Sequence, residues 1–219
     1  MKNNILEKVK KIVVKEGSSH NPLSEEGIAE QLGVSRTPIR EVLSHLEEEG
    51  LLERKHKRGI TLKEPSLKEI IEIYDLRSVL EGLAARLLAD EIDKEALDEL
   101  KILCQNLERI RESKNVTLSE VEKVDLAFHQ KIVEKCGNNY LKKIINNFHL
   151  ITLSFQLGNK KEFKRRKLRF PHEDIVKALK NREPDKAESA TRLHIQEGKE
   201  NLIKEILGPS ALQREKIKV

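Results

Sequence analysis

Asp125 and His129 stand four residues apart in a stretch whose apolar members, Val121, Val124, Leu126, Phe128, Ile132 and Val133, recur at helical spacing. Four residues is about one helical turn, so the carboxylate and the imidazole rise from one face with Cβ atoms about 5 to 6 Å apart. Such a pair can share one ion. The apolar neighbours turn that face partly into a core, where an unpaired carboxylate is costly and a cation relieves the cost. Two more imidazoles come from farther along the chain. His172 opens a helix marked by Ile175 and Leu179, and His194 lies midway along another marked by Leu193 and Ile195. Both can reach the same cavity. Each histidine taken alone reads equally as a hydrogen-bonded core residue, so the residue types leave both readings open.

These side chains need elements to carry them. Ser66 and Glu69 have the spacing of a capping box, which predicts a long helix from there to about Asp90. Asp93 caps a helix to about Arg111, and Ser119 with Glu122 forms a second box opening a helix that Gly137 ends. Asn138 or Asn139 caps the next, to about Leu157. The basic segment from Gly158 to Arg169 reads as a loop or frayed helix, and Pro171 and Pro184 each sit near the first turn of another helix. Six helices make an antiparallel bundle. Composition agrees, because 36% of the 219 residues are charged, only 3% are aromatic and there is no Trp, which favours a mainly α chain. The length exceeds one small domain, and a boundary at Glu64-Pro65 divides residues 1–64 from 65–219. Cys104 and Cys136 have no metal-like spacing and read as buried thiols of a reducing cytoplasm. No apolar run approaches the roughly 20 residues that span a bilayer, and the amphipathic start lacks a signal-peptide core, so a cytoplasmic protein with no membrane partner is expected.

The first 64 residues have a different pattern. Ser24 caps a short helix, Glu25 to Leu32, with Ile28, Ala29 and Leu32 inward, and Gly33 ends it in the left-handed region. Ser35 or Thr37 caps a second helix, Thr37 to Glu49, in whose first turn Pro38 is tolerated. Ile39, Val42, Leu43 and Leu46 face inward, leaving Arg36, Thr37, Arg40 and Ser44 outward. After Gly50, Leu51–Lys55 and Ile60–Leu62 read as two strands joined through His56-Lys57-Arg58-Gly59, a basic wing. That order of elements is a winged helix-turn-helix, whose second helix enters a DNA major groove. The net charge of +5 permits an anionic partner, but acidic residues are nearly as frequent as basic ones in this part, so binding must come from local clusters.

Residues 23 to 62, LSEEGIAEQLGVSRTPIREVLSHLEEEGLLERKHKRGITL, resemble the DNA-binding domain of the GntR family of bacterial transcription regulators. The resemblance implies operator contacts from Arg36, Thr37 and Arg40, with Arg58 and Gly59 at the wing tip near the minor groove; Ser35 beside them is a further candidate, and Lys57 in the wing is expected on phosphate. Where the family usually carries an arginine in Ser-Glu-Arg-Glu-Leu-Ala, this chain has Glu26. Residues 66 to 207 resemble the FCD-type domain of the FadR subfamily, through Asp125-x-x-Phe128-His129, Pro171-His172-Glu173 and His194. Six helices fit its VanR-like branch. The resemblance implies a divalent metal held by Asp125, His129, His172 and His194. One oxygen and three imidazole nitrogens suit zinc or nickel, and manganese if waters complete an octahedron. Open positions on such an ion suit a small carboxylate effector. Arg77 either meets the other end of that effector or pairs with Glu81, since Ile70, Tyr74, Arg77, Glu81, Ala84 and Leu88 share one helical stripe. His149 and Asn147 are weaker candidates for the pocket lining. The expected protein is a homodimeric regulator, a repressor by the family's commoner habit, acting on a palindromic operator. A metal sensor is the alternative. A metal-dependent hydrolase has less support, because no separate general base, nucleophile motif or phosphate-binding glycine loop accompanies the site.

Overall fold

The computed structural model describes residues 2–16, 22–55, 59–112, 118–158 and 172–207. Its elements run α1 (Lys2–Glu16), α2 (Glu25–Leu32), α3 (Arg36–Glu48), β1 (Leu52–Lys55), β2 (Gly59–Leu62), α4 (Leu67–Glu91), α5 (Lys94–Glu112), α6 (Leu118–Lys135), α7 (Asn139–Gly158), α8 (His172–Lys180) and α9 (Pro184–Leu207). The chain divides into two compact units, Met1–Ile70 with Asn147–Lys160, and Ile71–Asn146 with Lys161–Val219. Among the described residues no helix is long and apolar enough to cross a membrane.

In the first unit α2 starts where Ser24 accepts a hydrogen bond from the Gly27 amide at 3.0 Å and stops where Gly33 takes φ +63°. The Val34 amide then donates to the Ala29 carbonyl, which satisfies an end group of the helix. Helix α3 begins one residue earlier than expected, so Thr37 lies within its first turn and Ser35 is the flanking residue, without a side-chain capping bond. Ile39, Leu43 and Leu46 are buried and Val42 is half-buried. They close a core with Val9, Ile28, Leu52, Ile60 and Leu62. Strands β1 and β2 pair antiparallel, Leu52 opposite Leu62 and Lys55 opposite Gly59. Leu23 adds an antiparallel bridge to Ile60, with both backbone bonds at 2.8 Å, a third strand one residue long.

The Ser66 capping box forms as its spacing predicts. The Ser66 amide donates to Glu69 Oε2 at 2.7 Å and the Glu69 amide donates to Ser66 Oγ at 3.2 Å. Lys63 also donates to Glu69, at 2.9 Å, and this bond with the two from Ser66 lowers the Glu69 carboxyl to about 2. A carboxyl depressed on folding stabilises the chain above its unfolded value, about 4.3, and loses that contribution as the pH falls through about 2. Solvent screens the half-exposed pair, so Glu69→Gln is expected to cost less than about 1 kcal/mol near neutrality. The difference from wild type in urea unfolding should shrink below about pH 4 and vanish only below about pH 2, and a difference that grows on acidification would discard the account.

The second unit buries Leu100, Leu107, Phe128, Ile132, Ile145, Ile175 and Leu179. Helix α5 packs on α6 and α8, and α8 packs on α9. Asp93 caps α5 through the Ala96 amide at 2.6 Å, and Asn138 caps α7 through the Tyr140 and Leu141 amides. Ser119 does not open α6. The helix already runs at Leu118, which puts Ser119 and Glu122 inside it. Gly137 ends that region at φ +74°. Cys104 and Cys136 are buried thiols of this core. The expected loop between Gly158 and Arg169, and Pro171, fall on residues 159–171 outside the described residues.

Candidate metal centre and DNA-reading face

Helices α6, α8 and α9 bring Asp125, His129, His172 and His194 together, with one donor atom from each within 4.8 Å of all the others. His129 Nε2 lies 3.0 Å from His194 Nε2. Asp125 Oδ1 lies 3.0 Å from His172 Nε2 and 3.9 Å from His194 Nε2, and Asp125 Oδ2 lies 3.8 Å from His129 Nε2. All three histidines therefore aim the same nitrogen at one carboxylate. Donors bound to a single ion at about 2.0 to 2.2 Å stand roughly 3 to 3.5 Å apart, so a small divalent cation fits between them after minor adjustment. His172 and His129 are 0% and 1% exposed, His194 is 9% exposed, and the Asp125 side chain is 37% exposed.

Electrostatics favour an ionised Asp125 and a neutral His194. Burial alone would raise the Asp125 carboxyl, but His172 at 3.0 Å and the neighbouring imidazoles hold it well below the usual carboxylate range. Burial pushes the His194 imidazole well down, and His129 and His172 add to that shift, so the ring is neutral at pH 7 and presents a lone pair. The other nitrogen of His129, Nδ1, lies 2.9 Å from Glu81 Oε2 on α4. A proton on Nδ1, facing that carboxylate, leaves the Nε2 lone pair for the cluster. Glu81 in turn accepts from Arg77 Nε at 2.7 Å, and the Arg77 guanidinium lies over the Tyr74 ring at 5.0 Å. Arg77 thus forms the internal ion pair that its helical stripe allows. Phe128, fully buried, packs its ring edge-on to His172 at 4.6 Å and to His129 at 5.6 Å.

Glu81 was legible only as a partner for Arg77. Its approach to His129 joins positions 48 residues apart in sequence, and no local spacing announces it. His149 and Asn147 belong to the first unit and lie outside this cluster.

In the first unit Ser35, Arg36, Thr37 and Arg40 are all exposed at the start of α3. Glu25 lies 4.0 Å from Arg36 Nη2 and accepts from Arg54 Nη1 at 2.7 Å, and Arg54 Nε donates to Glu47 at 2.9 Å. Arg54, which the sequence reading did not single out, thus ties β1 to both helices of the pair. Glu26 is exposed. Lys57 and Arg58 lie outside the described residues, and Gly59 takes φ +101° at the start of β2.

A helix-turn-helix with an antiparallel wing, followed by a separate helical unit, defines a winged-helix transcriptional regulator. Residues 3–62 match the bacterial regulatory proteins of the gntR family and residues 72–197 match the FCD domain. The chain belongs to the GntR family of DNA-binding transcriptional regulators and carries its FCD domain. It is 29% identical over 193 residues to the HTH-type transcriptional regulator YdhC of Bacillus subtilis, covering 82% of this chain and 85% of that one. It is 34% identical over 162 residues to the gluconate operon transcriptional repressor of Bacillus subtilis, covering 74% of this chain and 63% of that one. The solved structure of Escherichia coli McbR/YncC shares the fold, with a TM-score of 0.74 at 20% identity over 93% of this chain and 97% of that one. The families and relatives are transcriptional regulators, not enzymes, and several are repressors.

Proposed function

We propose that this protein is a cytoplasmic, homodimeric repressor of a palindromic operator. Its FCD domain holds a divalent metal at Asp125, His129, His172 and His194 and uses it to bind a small organic acid. The convergence of three Nε2 atoms on the Asp125 carboxylate carries the reading. The donor set suits zinc or nickel, and manganese with added water ligands. The ion supplies a positive charge with positions left open for a carboxylate. Arg77 supports the site from behind through Glu81, and its guanidinium is the second anchor when an anionic effector enters. A relative named for the gluconate operon it represses makes a small acid the natural class to screen. An effector shifts operator affinity only to the extent that it binds one arrangement of the dimer better than another.

Metal counted per chain in the purified protein tests this. About one divalent ion per chain is expected in wild type and none in the Asp125→Ala, His172→Ala double variant. Ion-free wild type after incubation with zinc, nickel or manganese would end the metal reading. On the DNA side, Ser35, Arg36, Thr37 and Arg40 read the major groove, while Lys57, Arg58 and Gly59 form the wing contact. Arg40→Ala is expected to cost roughly 1 to 3 kcal/mol of operator affinity and to relax the preference at one base pair. Unchanged affinity in a binding titration at fixed salt would remove Arg40 from the reading face.

A further inference from the structure

Glu25 opens α2, and its two carboxylate oxygens are divided between two arginines of different standing. Oε1 accepts from Arg54 Nη1 at 2.7 Å, while Oε2 lies 4.0 Å from Arg36 Nη2. Arg54 also donates to Glu47 through Nε at 2.9 Å, and its hydrogen bonds to Glu25 and Glu47 raise the guanidinium above its usual value. The Glu25 side chain, 17% exposed, is therefore fixed from the scaffold side whatever Arg36 does. The Arg36 side chain is 64% exposed at the first position of α3. Among the described residues Glu25 is the acidic partner of Arg36, and Arg40, one turn along, has none.

The contact between Glu25 and Arg36 is too long for a hydrogen bond and, on a surface, too weak to hold the guanidinium away from DNA. What it changes is the choice among DNA partners. A phosphate is a charged partner that any sequence offers. To reach one, Arg36 exchanges the Glu25 carboxylate for another anion, and Glu25 repels that phosphate, so little is gained. A guanine edge is neutral and offers O6 and N7 side by side, which suit two of the five guanidinium N–H groups. Arg36 can take it with its charge still compensated by Glu25. The fixed carboxylate thus weakens the backbone contacts and spares the base contact, which is discrimination by disfavouring the alternative.

We propose that Glu25 is a positioning residue for operator specificity, which keeps Arg36 off the phosphates and so directs its guanidinium to a guanine edge. The proposal rests on the reading in which Arg36 faces the major groove. Glu25 acts through Arg36 and touches no base. Its removal therefore makes the protein hold DNA more tightly in general and read it less well.

The test uses the full-length chain and two duplexes of equal length, the one that wild type enriches from a random-sequence library and a scrambled version of it. Glu25→Gln keeps the shape of the side chain and an oxygen that accepts from Arg54, so the fastening of β1 survives and only the charge is lost. This variant is expected to bind the scrambled duplex more tightly, with a salt slope steeper by roughly one phosphate contact. It is also expected to lower the ratio of the two affinities about fivefold. In an Arg36→Ala background, which by itself lowers that ratio, the same change is expected to leave the ratio unaltered. An equal effect of Glu25→Gln on both duplexes, or the same loss of ratio without the Arg36 guanidinium, overturns the proposal and leaves Arg36 on the reading face. A ratio unchanged by Arg36→Ala removes Arg36 from that face and overturns both.

Discussion

Removing the Glu81 carboxylate is expected to weaken the second unit in two measurable ways. Glu81 is 1% exposed and stands between the buried Arg77 guanidinium and His129 Nδ1. In Glu81→Ala the guanidinium keeps its charge in the interior without its partner, a loss of about 3 to 5 kcal/mol for a broken buried pair. The His129 ring also loses the carboxylate that stands 2.9 Å from its Nδ1. Partners of that kind are worth about 10- to 100-fold in metal affinity. Urea unfolding reads the first effect and chelator competition for bound zinc reads the second. Glu81→Gln preserves the size of the side chain and separates them, since an amide oxygen still accepts from the imidazole but cannot neutralise Arg77. Zinc affinity unchanged in both variants would show that His129 needs no positioning from α4.

Gly59→Ala is expected to destabilise the DNA-binding unit more than Gly33→Ala, although both glycines have positive φ. At Gly33, φ +63° with nothing within 4 Å of an added Cβ, the cost is that of one left-handed residue, about 1 to 2 kcal/mol. At Gly59, φ +101°, the Cβ would stand 2.6 Å from the Leu23 carbonyl oxygen. That oxygen accepts from the Ile60 amide, so relief of the clash must open the bridge between Leu23 and β2. Backbone strain of about 1 to 3 kcal/mol therefore adds to the loss of two backbone hydrogen bonds, about 1 kcal/mol each. Circular dichroism during denaturant titration should order the variants wild type, Gly33→Ala, Gly59→Ala in falling stability. Equal costs at the two positions would mean the bridge contributes nothing.

The parts legible in the sequence are those set by neighbours in the chain. Ser24 with Gly27, Gly33, Gly50, and Ser66 with Glu69 each act within four residues, and their elements begin or end where the spacing puts them. The same local logic misplaces the start of α6, because Ser119 and Glu122 have capping-box spacing inside a helix where the spacing carries no boundary. Periodicity put Arg77 and Glu81 on one buried stripe but could not choose between an internal pair and an external partner. The fold forms the internal pair. The Asp-His cluster was legible as four residue types in order. Its Glu81 support and the Leu23 bridge depend on pairings distant in sequence, and the bridge is one residue long, too short to leave a period.

The bridge also bears on how operator preference can diverge among descendants of this chain. Leu23 and Ile60 clamp the base of the wing, and Arg54 ties β1 to Glu25 and Glu47, so the scaffold is fastened below the three positions, 56 to 58, that join the strands. A Cβ at Gly59 would meet the Leu23 carbonyl oxygen of that same fastening. A side chain at position 59 therefore alters the stability of the unit before it can alter any contact the wing makes, and Gly59 belongs to the scaffold as much as to the tip.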